Sequence, residues 1–312
     1  MPRSCCVSRD TPHGSAAISQ PPAARPWDGR AGGAAEAASG AGTLISLPGG
    51  RFVMGADDEF AYPQDFEGPV RDASVPPFAI GATTVTVAEF AAFVEETGFE
   101  TDAQKHGDSM VFHSAVAGGT WPAVAAAPWW LVVAGACWHH PRGPEGPDAR
   151  VELPSHPVTQ VSHNDALAYC AWSGTRLPSE KEWEFAARGG REGDPFPWGA
   201  ELMPDGEHLM NVWQGEFPVH NSIEDGFEFT APVGSYPPNG YGLLEMTGNV
   251  WEWTDSVFAP QRGNVDPVLR GGSHLCHESY CRRYRVSARS AASRETSTGH
   301  IGFRVARSIS AK

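Results

Sequence analysis

Two cysteines followed by a cluster of arginines form the part of this sequence best suited to chemistry. Cys276 and Cys281 lie in residues 269–285, after a Gly-Gly turn, and the arginines that follow are Arg282, Arg283, Arg285 and Arg289. The Cys-x-x-x-x-Cys spacing matches neither the Cys-x-x-Cys of redox proteins nor a compact zinc motif. On an ideal helix the two side chains would point roughly 140° apart. A loop or bent turn must therefore bring the two sulfur atoms together.

The chemistry open to two converging thiols depends on their charge and on the metal they bind. Neighbouring guanidinium groups lower the pKa of a thiol and raise the fraction of thiolate. Two thiolates without a second cysteine pair favour Cu(I) over Zn²⁺, because Cu(I) accepts few, soft ligands and Zn²⁺ prefers four. His277 supplies a third ligand only if it folds back beside its neighbour. A structural disulfide and two inert buried thiols remain alternatives on these residues alone.

Three helices with marked ends are predicted. Each begins at a capping box or its aspartate variant, in which a hydroxyl and a carboxylate bind free backbone N–H groups. A glycine, typical of the residue that ends a helix, follows each of them. The boxes are Thr86-x-x-Glu89, Ser162-x-x-Asp165 and Ser179-x-x-Glu182, and the glycines are Gly98, Gly174 and Gly189.

Outside these helices the sequence predicts short strands and ordered loops. Residues 43–54 alternate apolar side chains around Pro48-Gly49-Gly50, which predicts a β-hairpin, and residues 75–85 contain another extended segment. The 35 glycines and 27 prolines indicate many irregular loops, which bound ions and the 11 tryptophans would help to hold in place. The expected fold class is α+β in one compact domain.

Composition excludes several classes of protein. A chain of 312 residues that is 41% hydrophobic buries a substantial core without disulfides. The net charge of −14 argues against a nucleic-acid partner, because phosphates require a basic surface. The longest apolar run, residues 129–136, is far shorter than the about 20 residues that cross a bilayer. We therefore expect a soluble protein without a membrane partner.

Both ends of the chain are expected to lie outside the domain. Residues 1–42 are rich in Ala, Gly, Pro and Ser and lack the apolar core of a secretion signal, which predicts a disordered tail. Cys5 and Cys6 in that tail are expected to be incidental. Residues 43–307 form the predicted domain, and residues 308–312 a C-terminal tail. A cytoplasmic location is expected, where thiols stay reduced.

Motifs around and upstream of the two cysteines resemble those of one family. Gly271-Gly272-Ser273, Cys276-His277-Glu278-Ser279-Tyr280-Cys281 and Tyr284-Arg285 resemble the signature of the formylglycine-generating enzymes, also called sulfatase-modifying factors. Further matching motifs lie at residues 176–190, 211–218, 224–227, 238–242, 248–253 and 302–304. The resemblance covers roughly residues 43–307. The block from the first cysteine to the second is its most specific part.

The resemblance implies a fold and a reaction. The family fold is a C-type-lectin-like α+β domain with little regular secondary structure. In the family the two cysteines hold Cu(I), and dioxygen oxidises a cysteine of an unfolded sulfatase, within Cys-x-Pro-x-Arg, to Cα-formylglycine. A thiol reductant is a further expected partner. By this resemblance Cys276 and Cys281 are the copper ligands, and the acidic surface suits the substrate arginine.

The resemblance also implies roles for other residues. Ser273 would orient dioxygen beside the copper, Trp251 would line the same pocket, and Tyr280 would position the substrate. The segment from Cys281 to about His300 would form part of the wall of a peptide groove. The substrate-binding residues expected there are Arg282, Arg285, Arg289 and His300. For Arg282 and Arg283, a solvated face or pairing with carboxylates is the alternative.

Two structural calcium sites are implied as well, because both sets of residues offer the oxygen ligands that hard cations prefer. The first comprises Asn211, Val212, Asp225 and Phe227, and the second comprises Glu245, Gly248, Val250 and Glu252. Glu245 replaces an asparagine common in relatives, which adds charge to the second site. Surface carboxylates or turn caps are the alternative for each acid.

Other departures from the family concern cysteines and one histidine. Cys170 matches a cysteine that in secreted relatives pairs with one at the position of Val305, and Val286 occupies another cysteine position. Those disulfides are therefore expected to be absent, with Cys137 and Cys170 as buried free thiols. His163 stands where relatives often carry tryptophan, and its effect stays open.

Three alternative functions are considered. An iron-dependent sulfoxide synthase of the same superfamily generally carries an added helical domain, for which this chain has no room. A lectin-like binding module or an inactive regulatory paralogue would lack the cysteine pair. A thiol–disulfide oxidoreductase is disfavoured by the spacing of the cysteines.

Overall fold

The structure, a computed structural model, describes residues 42–309. Apart from residues 42, 308 and 309, the two expected tails (1–42 and 308–312) lie outside the described residues, as do Cys5 and Cys6. In the described range short strands and helices alternate with long ordered loops, as the composition predicts. The α+β class is confirmed.

The three predicted helices are present at the predicted capping boxes. The helices are α1 (Val87–Thr97), α2 (Asp102–His106), α3 (Ala149–Glu152), α4 (His163–Ser173) and α5 (Glu180–Arg188). In α1, α4 and α5 both halves of the box are formed, and each helix ends at its predicted glycine in the left-handed conformation. The short helices α2 and α3 were not predicted. Thr101-x-x-Gln104 is a further complete box that starts α2.

Fourteen strands form five small sheets within residues 42–309. The strands are β1 (Leu44–Leu47), β2 (Gly50–Met54), β3 (Arg71–Val75), β4 (Phe78–Gly81), β5 (Asp108–Phe112), β6 (Ala123–Val124), β7 (Ala127–Ala134), β8 (Gly215–Glu216), β9 (His220–Asn221), β10 (Trp251–Val257), β11 (Pro267–Arg270), β12 (Arg289–Ala291), β13 (Ile301–Phe303) and β14 (Ala306–Ser308). Their orders are β1-β4-β14, β12-β11-β10-β13, β2-β3, β5-β7-β6 and β8-β9.

The predicted hairpin at residues 43–54 is wrong. β1 pairs antiparallel with β4, and β2 pairs antiparallel with β3, so the two segments enter different sheets. The turn between them packs against the β3–β4 connection, where a Cβ at Gly49 would lie 2.5 Å from the carbonyl oxygen of Val75. Alternation in the sequence predicted the strands correctly. Their partners depend on contacts about 20 to 40 residues away, which a local pattern does not contain.

The four-stranded sheet positions the cysteine segment. Its strand β11 ends at Arg270, directly before the Gly-Gly turn, and β10 lies at the centre of the same sheet beside β13. Helix α5 packs on this sheet, and the indole N–H of Trp183 donates to Glu252 at 2.7 Å. Cys276 and Cys281 belong to the same buried cluster as Trp251 and Trp253. The cysteine loop is therefore anchored in the main core.

None of the helices formed by residues 42–309 has the length and apolar character needed to cross a membrane.

Candidate functional site

The cysteine loop brings the two sulfur atoms together, as the spacing predicts. The Sγ atoms of Cys276 and Cys281 lie 3.1 Å apart, and both residues are fully buried. A disulfide bond is about 2.05 Å long, so the two sulfur atoms are not joined by a disulfide. Their separation allows both to contact one ion. The donor set, two soft sulfur atoms in an apolar core, fits a low-coordinate soft metal such as Cu(I).

Two consecutive tight turns produce this convergence. The backbone N–H of Cys276 donates to Ser273 O at 2.9 Å, and that of Cys281 donates to His277 O at 2.7 Å. Gly272 allows the chain to turn from β11 into the cysteine loop, because its φ is +73° and a Cβ there would lie 2.8 Å from Arg283 O. Only a glycine combines this left-handed backbone with so close an approach. The loop geometry is therefore encoded locally, around the glycine pair.

Arg283 contacts one of the sulfur atoms directly. Its Nη1 lies 3.7 Å from Cys281 Sγ. The same guanidinium donates to both oxygens of Asp65, and it covers the ring of Tyr62 at 4.3 Å. Arg283 is therefore a fixed positive charge beside the thiol pair. Neither Asp65 nor Tyr62 was singled out from the sequence, where both lie more than 200 positions upstream.

The later arginines are engaged inside the protein. Arg285 donates to Glu67 at 2.8 Å, and Arg289 donates to Glu180 at 2.8 Å, with all four side chains buried. These ion pairs fasten the segment after Cys281 to the loop at residues 62–67 and to α5. Their observed role is structural, and direct contact of Arg285 or Arg289 with a substrate stays a prediction from the sequence.

His300 is also buried, beneath the surface of the site. Its Nδ1 lies 2.6 Å from the hydroxyl of Thr298, and its ring packs on Trp130 at 4.6 Å. The structure thus places His300 within a buried polar cluster rather than on an open wall, and its predicted contact with substrate is untested.

Tyr280 belongs to a half-buried aromatic patch beside the thiols. Its ring stacks on Phe217 at 4.7 Å with nearly parallel planes, and Trp129 meets it edge-on at 5.0 Å. We call Trp129, Phe217 and Tyr280 the aromatic patch. Phe217 precedes a cis-proline at the end of the 211–218 motif, and neither Phe217 nor Trp129 was proposed from the sequence as a site residue.

Ser273, Trp251 and His277 surround the thiols in different ways. The backbone N–H of Ser273 points at Cys276 Sγ at 3.4 Å, and its hydroxyl accepts from the N–H of Leu275 at 3.3 Å. The indole N–H of Trp251 is buried without a hydrogen-bond partner. His277 is turned outwards, with Nδ1 2.7 Å from the hydroxyl of Ser279, so it is not a third ligand in this arrangement.

The other two cysteines in the described range, Cys137 and Cys170, have unreactive thiols because they are buried. Cys137 and Cys170 are buried and free, as predicted. Burial raises the pKa of the Cys170 thiol to about 12 and raises that of Cys137 as well. Both therefore stay protonated, in contrast to what two metal-binding thiols require. His163 packs edge-on against Trp253, and burial lowers its pKa to about 4, which keeps it neutral.

The first predicted calcium site gathers oxygen atoms around one point. Asp225 Oδ2 accepts from the N–H of Val212 at 3.1 Å, and the amide of Gln214 lies between Asp225 Oδ2 and Val212 O. Asn211 Oδ1 is buried with no hydrogen-bond partner. Burial raises the pKa of Asp225. These donors fit a hard cation.

The second predicted calcium site does not fit an added cation as well. The carboxylate of Glu252 receives hydrogen bonds from Arg304 at 2.6 and 2.7 Å and from Trp183. Glu245 accepts from the N–H groups of Gly234 and Tyr236. Each carboxylate is therefore already engaged, and Arg304 neutralises Glu252. Calcium at this site stays a prediction that nothing here tests.

Calcium removal is expected to destabilise the protein through the first site. With EDTA we expect the thermal midpoint to fall by several degrees, since a bound ion stabilises the folded state by mass action. Asp225→Asn should abolish the response to calcium, whereas Glu245→Gln should retain it. Differential scanning calorimetry with and without 1 mM-scale calcium measures both. An unchanged response in Asp225→Asn would show that calcium stabilises the chain elsewhere.

Comparisons with known proteins show the family to which this chain is similar. Residues 32–309 match the model of the sulfatase-modifying factor enzyme 1-like domain. A formylglycine-generating enzyme of Thermomonospora curvata is 48% identical over 84% of this chain and 92% of its own. A mouse relative named inactive C-alpha-formylglycine-generating enzyme 2 is 44% identical over 85% of this chain and 85% of its own.

The same fold occurs among solved structures. PvdO from Pseudomonas aeruginosa superposes with a TM-score of 0.63 at 28% identity, over 88% of this chain and 97% of that one. The family model spans most of the chain, and the relatives match it nearly end to end. This chain therefore belongs to the formylglycine-generating enzyme, or sulfatase-modifying factor, family.

Proposed function

We propose that this chain is a copper-dependent oxidase that converts a cysteine of an unfolded sulfatase, within Cys-x-Pro-x-Arg, to Cα-formylglycine with dioxygen. The observation that carries the proposal is the pair of buried cysteines, Cys276 and Cys281, with sulfur atoms 3.1 Å apart. A relative named formylglycine-generating enzyme at 48% identity supports the reaction.

Cysteines 276 and 281 would hold Cu(I), which when bound supplies a position for the substrate thiolate and the redox chemistry with dioxygen. Arg283 balances the negative charge that gathers there, because its guanidinium lies 3.7 Å from Cys281 Sγ and is fixed by Asp65. A buried, fixed cation acts strongly in an apolar site, where charges are poorly screened.

Two groups near the thiols are suited to orient a small oxygen species. The unpartnered N–H of Trp251 is a donor whose isolation costs about 1–3 kcal/mol unless a ligand accepts from it. Ser273 is fully buried at the same loop, with its backbone N–H directed at Cys276 Sγ. The resemblance implies the orienting role for Ser273 and, for Trp251, a position lining the same pocket.

The aromatic patch provides a docking surface for the substrate proline. Aromatic side chains bind extended, proline-containing segments because the segment is already rigid and presents a flat apolar ring. Trp129, Phe217 and Tyr280 are half-buried, so their faces remain available to a peptide. Tyr280 immediately precedes Cys281, which puts the patch next to the reacting position.

The reaction balances with a thiol reductant. One substrate thiol, one dioxygen and two reductant thiols give one aldehyde, one hydrogen sulfide, one water and one disulfide. Substrate carbon is oxidised from the thiol to the aldehyde level, and dioxygen is reduced by four electrons in total. Two electrons come from the substrate and two from the reductant. A cytoplasmic location, where such thiols are abundant, is part of the proposal.

The test is mass spectrometry of a Cys-x-Pro-x-Arg peptide incubated with the full chain, Cu(I), a thiol reductant and air. We expect the mass loss of thiol-to-aldehyde conversion, trapping of the product by a hydrazine, and no conversion without oxygen. A serine peptide serves as the inert control. Peptide binding without conversion, although copper is bound, would instead assign this chain to the non-catalytic relatives.

A further inference from the structure

Side chains alternate between inside and outside along the segment that contains Cys281. Tyr280 and Arg282 are half-buried, whereas Cys281 and Arg283 are buried. Residues 281–284 form neither helix nor turn. Tyr280 ends the turn before this segment, so the burial of the side chains is what places Tyr280 and Arg282 on the outer side, on either side of the buried thiol.

Arg282 differs from the arginines around it. Arg283, Arg285 and Arg289 each form an ion pair with a buried carboxylate. Within the part of the chain that the structure describes, Arg282 has no carboxylate at ion-pair distance, and its Nε is buried without a hydrogen-bond partner. Its guanidinium lies 4.9 Å from the ring centre of Phe60, and its backbone N–H donates to Tyr62. This cation is held in place without being neutralised.

The charge of Arg282 reaches Tyr284, which packs in the same buried cluster as Cys276 and Cys281. Burial raises the pKa of Tyr284, as do the charges of Cys276, Glu278 and Cys281, and Arg282 is the cation that opposes them. Arg282 is thus electrostatically close to the groups around the thiols. An unpaired, partly desolvated guanidinium at the mouth of a binding site attracts carboxylates strongly.

We propose that Arg282 is a specificity residue that binds a carboxylate of the substrate one or two residues before the reacting cysteine. This inference rests on the proposed function, because it uses the substrate's direction across the site. If the proline two residues after the cysteine docks on the aromatic patch at Tyr280, the preceding residues run the opposite way, towards Arg282. The substrate arginine follows the proline and therefore stays away from this cation.

The direct test is a binding measurement that does not depend on turnover. Fluorescently labelled peptides carry serine in place of the reacting cysteine and Glu, Gln or Lys at the position before it. With the full chain we expect the Glu peptide to bind about fivefold more tightly than the Gln peptide, the size of one partly exposed ion pair. The Lys peptide should bind more weakly than both. High salt should reduce these differences.

Charge variants separate recognition from folding. Arg282→Gln should remove the preference for Glu, Arg282→Lys should keep most of it, and Arg282→Glu should reverse it towards Lys. Arg262→Gln is the matched control, because Arg262 also covers an aromatic ring, that of Phe66 at 4.4 Å, but lies outside the cysteine loop. A structural role for Arg282 would weaken all three peptides equally, which overturns the proposal.

Turnover distinguishes failure of this inference from failure of the proposed function. With cysteine peptides, Arg282→Gln should raise KM for the Glu peptide about fivefold relative to KM for the Gln peptide, the factor expected for the ion pair. Equal KM values for Glu and Gln peptides in the unaltered chain, with normal conversion, overturn only the role of Arg282. No conversion of any peptide counts against the proposed function, and the binding preference still decides the role of Arg282.

Discussion

Replacing Cys276 or Cys281 with serine is expected to lower turnover by a factor on the order of 10³ or more. The two sulfur atoms converge at 3.1 Å and would act as one unit, so removal of either abolishes the two-thiolate site. For the same reason the double variant should be no worse than each single variant. Peptide conversion followed by mass spectrometry, at saturating copper, gives the three rates.

The folding cost of these substitutions has matched controls in the same chain. A buried hydroxyl in place of a thiol costs about 1–3 kcal/mol unless it finds a partner. Cys137 and Cys170 are also buried and free, so Cys137→Ser and Cys170→Ser should lose comparable stability while retaining turnover. Turnover above a few per cent of that of the unaltered chain, in Cys276→Ser or Cys281→Ser, would contradict the two-thiolate mechanism. Loss of turnover in all four variants would point to a folding effect.

Arg304→Met is expected to be among the most destabilising single changes, at about 3–5 kcal/mol. Arg304 and Glu252 are both almost completely inaccessible, and the guanidinium donates to both carboxylate oxygens at 2.6 and 2.7 Å. Its other N–H groups bind the carbonyl oxygens of Gly81 and Leu244. Replacing Arg304 with methionine leaves the buried Glu252 carboxylate without its counter-ion and removes the hydrogen bonds to these carbonyl oxygens. Leaving such groups buried and unsatisfied is costly.

Urea unfolding measures this loss against a surface control. Arg51 and Asp72 also form an ion pair, at 3.5 Å, but their side chains are 82% and 78% exposed. Arg51→Met should therefore change the free energy of unfolding by at most about 0.5 kcal/mol. Adding Glu252→Gln to Arg304→Met should restore part of the loss, because it removes the unpaired charge. Equal effects of Arg304→Met and Arg51→Met would show that burial does not govern this pair.

Arg304 also bears on the number of calcium ions. Glu252 was expected to be a ligand of the second calcium site, and Arg304 already provides a positive charge there. Within residues 42–309 no arginine or lysine pairs with Asp225 of the first site, and the amide of Gln214 lies between its oxygen atoms. We therefore expect the calcium-dependent part of the stability to follow Asp225 rather than Glu245.

Structural features that depend on residues close together in the sequence could be predicted from the sequence. The capping boxes at Thr86, Ser162 and Ser179 predicted the three main helices at both ends, because a cap is satisfied within one turn. The convergence of Cys276 and Cys281 followed from their spacing and the Gly-Gly turn before them. The motifs of the cysteine block predicted the family, which the comparisons confirm.

Other features depended on partners far away along the chain. Asp65 and Arg283 are 218 positions apart, and Glu67 and Arg285 are separated equally, so no local pattern indicates that these arginines pair with carboxylates inside the protein. The same applies to β1 and β2, whose alternation predicted strands but whose partners β4 and β3 were settled by packing. The aromatic patch likewise joins residues 129, 217 and 280.

By itself, then, the sequence determined the three helices α1, α4 and α5, the paired thiols and the family. Each of these depends on residues that are close together in the sequence. Only the tertiary structure decided that Arg283, Arg285 and Arg289 form ion pairs with buried carboxylates. It also decided that Arg282, in the same segment, forms none within the described residues. The physical reason is that an arginine's role depends on whether a carboxylate meets it in the folded state. The contact between an arginine and its carboxylate joins chain segments that come together only on folding.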